Sequence, residues 1–141
     1  MNTSPSGSLC PYYYLNGELH PLKYGSFRKD REKLFAIIKA EEEFIQQSAG
    51  LKNRLIWIDL YKTDLTPEVM YNLVIHIYNI RLKISKLCMV GCSIMKRHAV
   101  KKLMKKYIPE LAERIQFFSD PEEAKRWLIG KGQHEIIRRF V

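Results

Sequence analysis

Cysteine is scarce in this 141-residue chain. Cys10, Cys88 and Cys92 are the three, an odd number with no Cys-x-x-Cys pair. That argues against a disulfide framework and against zinc-ligand spacing. If Cys88 and Cys92 share a strand, four residues of rise set them roughly 13 Å apart, too far for a disulfide. The cysteines are therefore expected as small core residues of a reduced, cytoplasmic protein. Long apolar runs are also missing. The strictly apolar stretches are far short of the ~20 residues that cross a bilayer, so no membrane span is expected. The start, Met1 to Pro5, has neither a basic nor an apolar leader region, which also predicts a cytoplasmic protein. No internal repeat, low-complexity tract, metal-ligand set or cofactor motif is visible, and no cofactor is expected.

What is present suits one globular domain. The 46% hydrophobic and 11% aromatic content excludes disorder over most of the length. A domain of this size buries roughly two thirds of its unfolded surface and needs no metal or disulfide staple. The formal charge is +9, from 24 basic and 15 acidic residues. Its excess lies in the last two thirds and is densest at Lys96, Arg97, Lys101, Lys102, Lys105 and Lys106. Such a helix can neutralise phosphates of nucleic acid. The favoured reading is the solvated side of an amphipathic helix, because no stacking aromatics interleave the lysines.

Residues 1–11 read as a flexible lead-in, 12–130 as the folded domain and 131–141 as an extension, a short helix or an arm. Tyr12 to Leu15, then Asn16 and Gly17, then Glu18 to His20 has the form of a β-hairpin with Asn-Gly in a type I′ turn. Pro21 should interrupt the return strand, which predicts a short hairpin at a sheet edge. A helix follows, with Leu34, Ile37, Ile38, Phe44 and Ile45 on one stripe, ending near Ser48, Ala49 and Gly50. Residues 55–60 read as a buried strand. Thr66, Pro67 and Glu68 open a second helix as N-cap, first-turn proline and dipole-matched acid. Residues 87–91 make another strand, about 94–107 a helix and 114–118 a third strand. Ser119 and Asp120 start a last helix that Gly130 closes. The expected fold is a single α/β domain, an N-terminal β-hairpin plus a mixed sheet with parallel strands and four covering helices.

With this order, the chain resembles the STAS superfamily (sulfate transporter and anti-sigma factor antagonist), in its SpoIIAA-like branch. The resemblance covers roughly residues 23–130. It rests on residues 25–30 leading into the first helix, the strand Leu55 to Asp59, the strand Lys86 to Gly91, and above all on the end of the chain. There Phe117, Phe118, Ser119, Asp120 and Pro121 run into Glu123, Ala124, Trp127 and Leu128. The resemblance implies a non-enzymatic domain that binds partners or, in related folds, apolar ligands. Antagonist members switch through a serine in Asp-Ser-Ser-Gly. This chain has Asp59, Tyr61, Lys62, Thr63, Asp64 and Thr66 in that loop and lacks the motif. Thr63 or Thr66 could stand in by position.

Open α/β sheets place sites beyond the carboxyl ends of parallel strands, which here gathers 59–66, 91–93 and 119–120. The simpler role for Thr66, Ser93 and Ser119 or Asp120 is helix capping. Cys92 with Arg97 resembles a rhodanese-type sulfurtransferase loop, in which a cation and a helix dipole lower the thiol pKa. Ile94 and Met95 bring bulk where such loops need glycine, so a structural cysteine is favoured. On the second helix Val69, Met70, Leu73, Val74, Ile77 and Ile80 face the core, and Glu68, Asn72, His76 and Asn79 form a polar stripe with His76 solvated. Tyr71, Ile75 and Tyr78 form a second apolar flank, covered either by the hairpin's Tyr12, Tyr13 and Tyr14 or by another chain. The expected function is thus a protein-interaction or regulatory module binding a protein partner or a second copy through helix 66–81. The contact candidates are this flank with Asp59, Thr63, Asp64, Thr66 and Ser93. Open alternatives are a thiol enzyme using Cys92 and Arg97, nucleic-acid binding through the basic helix, and a small apolar ligand.

Overall fold

The computed structural model describes residues 2–10, 12–15, 17–47 and 54–139, with side chains between 3 and 130 of these. A five-stranded sheet runs β3 (Tyr12–Tyr14), β4 (Gly17–Lys23), β5 (Arg54–Asp59), β6 (Ile84–Val90), β7 (Gln116–Phe118), in sequence order. The first pair is antiparallel and the other three are parallel, so the sheet is mixed. Between the parallel strands lie α1 (Arg31–Gln47), α2 (Pro67–Ile80), α3 (Ile94–Tyr107) and α4 (Pro109–Arg114), and α5 (Pro121–Arg139) follows the last strand. Two apolar clusters show the layering. Leu22, Ile56, Ile58, Leu87 and Met89 meet α1 to α4 on one face. Leu19, Trp57, Cys88 and Val90 meet Ala124 and Leu128 of α5 on the other. With both faces covered, β5 and β6 read as nearly continuous apolar runs.

Several expectations are corrected. Residues 2–10 form a ladder of their own, β1 (Asn2–Thr3) with β2 (Leu9–Cys10), and Ser4 and Ser8 are buried. In the hairpin Tyr14 pairs with Gly17, so the loop is 15–16 rather than Asn-Gly. Leu15 takes the positive φ, and Asn16 lies outside the described residues. Gly17 is needed elsewhere: a Cβ there would stand 2.4 Å from Cγ2 of Ile129 on α5. The hairpin lies at the sheet edge as expected, with β3 outermost, but its return strand β4 is not cut short and runs on through Pro21 to Lys23. The register of β3 reaches only Leu19. Beyond it the outer edge of β4 is met by side chains, Ser8 Oγ donating to the Pro21 carbonyl (2.6 Å) and Lys23 N donating to Ser6 Oγ (3.0 Å). Proline's missing N–H falls on that outer side and costs no ladder bond.

The expected helix stop at 48–50 lies outside the described residues. Thr66 caps α2, accepting from Val69 N at 3.2 Å, and Ser93 caps α3, accepting from Lys96 N at 3.3 Å. The extra helix α4 starts without a side-chain cap, on Pro109 and Glu110, a weaker form of the Pro67 and Glu68 start of α2. Helix α5 does not close at Gly130 but continues to Arg139, so the expected extension is mostly helix. An interior glycine costs about 1 kcal/mol relative to alanine, a weakening and not a stop. Among the described residues, no helix is long and apolar enough to cross a membrane.

Candidate functional site

At the carboxyl ends of the strands, the loop at 59–66 is laced to the loop that follows β4. Ser26 N donates to the Tyr61 carbonyl (2.6 Å), Arg28 N to the Lys62 carbonyl (2.9 Å) and Asp64 N to the Arg28 carbonyl (2.9 Å). Thr63 Oγ1 donates to the Tyr24 carbonyl at 2.6 Å and accepts from Phe27 N at 3.2 Å. Asp59 Oδ1 accepts from Tyr61 N at 2.9 Å. Gly91, at φ 95°, lets the third loop touch: a Cβ there would stand 2.6 Å from Tyr61 N. The hydroxyls of Thr63 and Thr66 are thus committed to backbone groups, while Tyr61, Lys62 and Asp64 face solvent.

Cys92 is buried at the same rim. Burial pushes its thiol up to about 11, against the pull of Arg97. Arg97 is occupied as a clamp, its Nε donating to the Cys92 carbonyl (3.0 Å) and its Nη2 to Ser119 Oγ (3.1 Å). A thiol in this state is protonated at neutral pH and is a poor nucleophile. Along α3 from this point, Lys96 and Lys101 are half-buried while Lys102, Lys105 and Lys106 are exposed.

The face of α2 is the second region. Its polar stripe lies beside α1, with Glu68 and Asn79 exposed and His76 drawn inside. His76 is buried, correcting the solvated reading, with Nδ1 3.0 Å from Glu42 Oε1 and Nε2 2.8 Å from the Tyr24 hydroxyl. Asn79 Nδ2 donates to the same carboxylate, and Glu68 pairs with Arg31 at 2.8 Å. Tyr12 and Tyr14 of the hairpin pack on the α5 side of the sheet, where Tyr14 donates to Glu122, and Tyr13 between them is exposed. They do not cover the α2 flank. Tyr71 is 47% and Tyr78 39% exposed, with Ile75 half-buried between them. Tyr71 meets the Tyr107 ring edge-on at 5.9 Å, and the Arg81 guanidinium sits 4.0 Å above the Tyr78 ring. Tyr107 and Arg81 in turn line a cleft of about 240 Å3 with Leu82, Pro109, Glu110 and Arg114. Aromatic flank and cleft form one continuous surface, bordered by cations.

The third region was not legible from composition. On α1 the buried stripe is Leu34, Ile38, Glu41 and Ile45, so a fully buried carboxylate takes a core position. Glu41 Oε2 accepts from Ser4 Oγ (2.7 Å), Ser6 N (2.8 Å) and Ser6 Oγ (2.5 Å). Glu41 Oε1 lies 3.3 Å from His20 Nε2. The other ring nitrogen, Nδ1, accepts from Arg54 Nη1 and lies 3.8 Å from Cys10 Sγ. The His20 ring thus stands between a guanidinium and a carboxylate. Cys10 is half-buried beside this polar cluster, not a core cysteine like Cys88 and Cys92. The one prior signal was the alternation in β4, which puts His20 on the same side as Leu22. Among the described residues, no group of His, Cys, Asp and Glu is arranged to hold a metal ion.

Comparison of the chain with protein-family models, with curated proteins and with solved structures gives no match in any of the three. The functional reading therefore rests on the residues themselves.

Proposed function

We propose that this chain is a non-enzymatic binding module of STAS type, docking a protein partner that presents acidic residues around an apolar anchor. The observation that carries the reading is the continuous surface of Tyr71, Ile75 and Tyr78 with the Tyr107–Arg81 cleft. Tyrosine and arginine are the residue types that dominate binding hot spots, because they add area at small entropic cost and keep a wettable end. The helix beneath them is packed on α1, α3 and the sheet, so little order is left to be lost on docking. Arg81, Arg114 and Lys106 border the surface, and Glu110 is the acid in the cleft. A second copy would bring like charges to that border and a further +9 to the pair. An acidic partner is therefore favoured over a homodimer.

A hairpin followed by alternating parallel strands and helices supports the STAS-type assignment, although fold alone warrants no activity. The raised Cys92 thiol weighs against the sulfurtransferase alternative. Photo-crosslinking in the native cell tests the proposal. A benzophenone amino acid replacing Tyr78 should capture one protein companion in stoichiometric yield, and the same probe replacing the exposed Tyr13 of the edge strand β3 should capture none. Equal capture at both positions, or none at position 78, would overturn it.

A further inference from the structure

Helix α3 carries six cations, Lys96, Arg97, Lys101, Lys102, Lys105 and Lys106, and no acidic residue. Solvated helices usually interleave both signs, so that charges pair along the surface. Here Arg97 with Lys101, Lys101 with Lys105 and Lys102 with Lys106 set like charges four residues apart, which repel. Among the described residues no ion pair relieves any of the six. Arg97 is held by Cys92 and Ser119, which leaves the lysines. The acids on adjoining segments are Asp120, next to Ser119, and Glu110 and Glu113 on α4. At about 100° per residue, Ile94, Met95, His98, Lys102 and Lys105 share one outward arc, opposite the buried Val100 and Met104, and all five are exposed. Ile94 is 68% and Met95 82% exposed, so two large apolar side chains stand in water at the end of the lysine row.

We propose that this face of α3 docks on an anionic lipid bilayer, with Ile94 and Met95 entering the interface and Lys102 and Lys105 resting on headgroups. Two demands select this partner. The unpaired lysine row is complemented by a surface of negative charge. The two apolar side chains need an apolar medium directly beneath that charge, which a bilayer supplies and a nucleic acid does not. No aromatic ring lies between the lysines of the arc to stack on bases. The contact is peripheral and needs no membrane-spanning helix. The face is distinct from the α2 flank and its cleft, which Lys106 alone of these cations borders.

Flotation of the full chain with vesicles of phosphatidylcholine containing about 30% phosphatidylserine tests it. The protein should float with these vesicles at low salt, should not float with pure phosphatidylcholine, and should be released as salt rises. A lysine near such a surface contributes about fivefold in affinity, so Lys102→Ala with Lys105→Ala should weaken binding about 25-fold. Arg126→Ala on α5, across the sheet, should leave it within about twofold. Ile94→Ser with Met95→Ser keeps the net charge and should weaken binding at least about tenfold. Should that pair disturb the helix start, the wild type answers the same question: a nitroxide on the lipid acyl chain should broaden the Met95 methyl resonance of the bound protein. Absence of binding, equal binding to neutral vesicles, or tighter binding to a DNA duplex than to the anionic vesicles would each overturn the proposal. So would as large a loss in Arg126→Ala as in the lysine pair, or an unchanged affinity of the serine pair with an unbroadened Met95 methyl.

Discussion

Replacing Glu41 by alanine should remove a large share of the stability of the fold. Three hydrogen bonds from the N-terminal segment end on Glu41 Oε2, and His20 Nε2 faces Oε1. Bonds to a charged acceptor contribute about 1.5–3 kcal/mol each, so a simple sum overshoots. Ser6 is half-exposed, and water replaces the lost acceptor there. The buried Ser4 hydroxyl and the Arg54 charge have no such substitute. The expected loss is therefore about 3–5 kcal/mol, the range for stripping one partner from a buried pair, against a usual total of about 5–15 kcal/mol. Urea unfolding followed by tryptophan fluorescence measures it. Pairing Glu41→Leu with Arg54→Met should recover part of the loss, since removing both charges leaves neither unpaired. A loss under about 1 kcal/mol for Glu41→Ala would refute the reasoning. The pH dependence is a second reading of the same group. Burial pushes the Glu41 carboxyl up, but the hydrogen bonds from His20, Ser6 and Ser4 outweigh it and hold it below the usual carboxylate range. Its contribution is then fully present above the unfolded value of about 4.3 and is lost as pH falls through the lower folded value. The alanine variant should show a flatter decline across that window.

Gly91→Ala forces a side chain onto φ 95° and into Tyr61 N at 2.6 Å, and should cost about 2 kcal/mol or more by thermal unfolding; a neutral outcome would mean that the rim loops are not in contact. Tyr24→Phe leaves His76 Nε2 without the hydroxyl it meets at 2.8 Å, and should cost about 1–3 kcal/mol, whereas an unchanged midpoint would deny that this contact is a buried hydrogen bond. Burial raises all three thiols, Cys88 to about 12 and Cys92 to about 11, but only Cys10 is partly exposed, so a thiol reagent at pH 8 should titrate Cys10 alone in the native protein and all three after denaturation. Rapid native labelling of Cys92 would revive the thiol-enzyme alternative.

Where burial, turn chemistry and helix starts agree in the sequence, the fold was legible. Thr66 and Pro67 marked α2, Ser93 marked α3, and the apolar run at 55–60 located β5 within one residue. The misses share a cause: tertiary partners that local pattern does not reveal. Pro21 sits in an inner strand because serines from a distant segment complete the edge of β4. Gly17 serves contact with Ile129 and not the turn. His76 reads as a surface residue, and Glu41 stands out in no pattern, until α1, α2 and the N-terminal ladder are brought together, after which each is hydrogen-bonded and buried. The Tyr71, Ile75 and Tyr78 flank was legible as an arc on a helix projection. That the hairpin tyrosines leave it uncovered, and that Tyr107 and Arg81 extend it, is known only from packing.

Native mass spectrometry of the protein purified gently from its own cells, as wild type and as Tyr71→Ser with Tyr78→Ser, tests the central claim most directly. Both rings are about half-buried, so the double variant should lose stability yet keep its fold, which its circular dichroism checks before the comparison. The account predicts a stoichiometric acidic companion on the wild type that the double variant loses. A bare monomer, or a companion held equally by both, would contradict it.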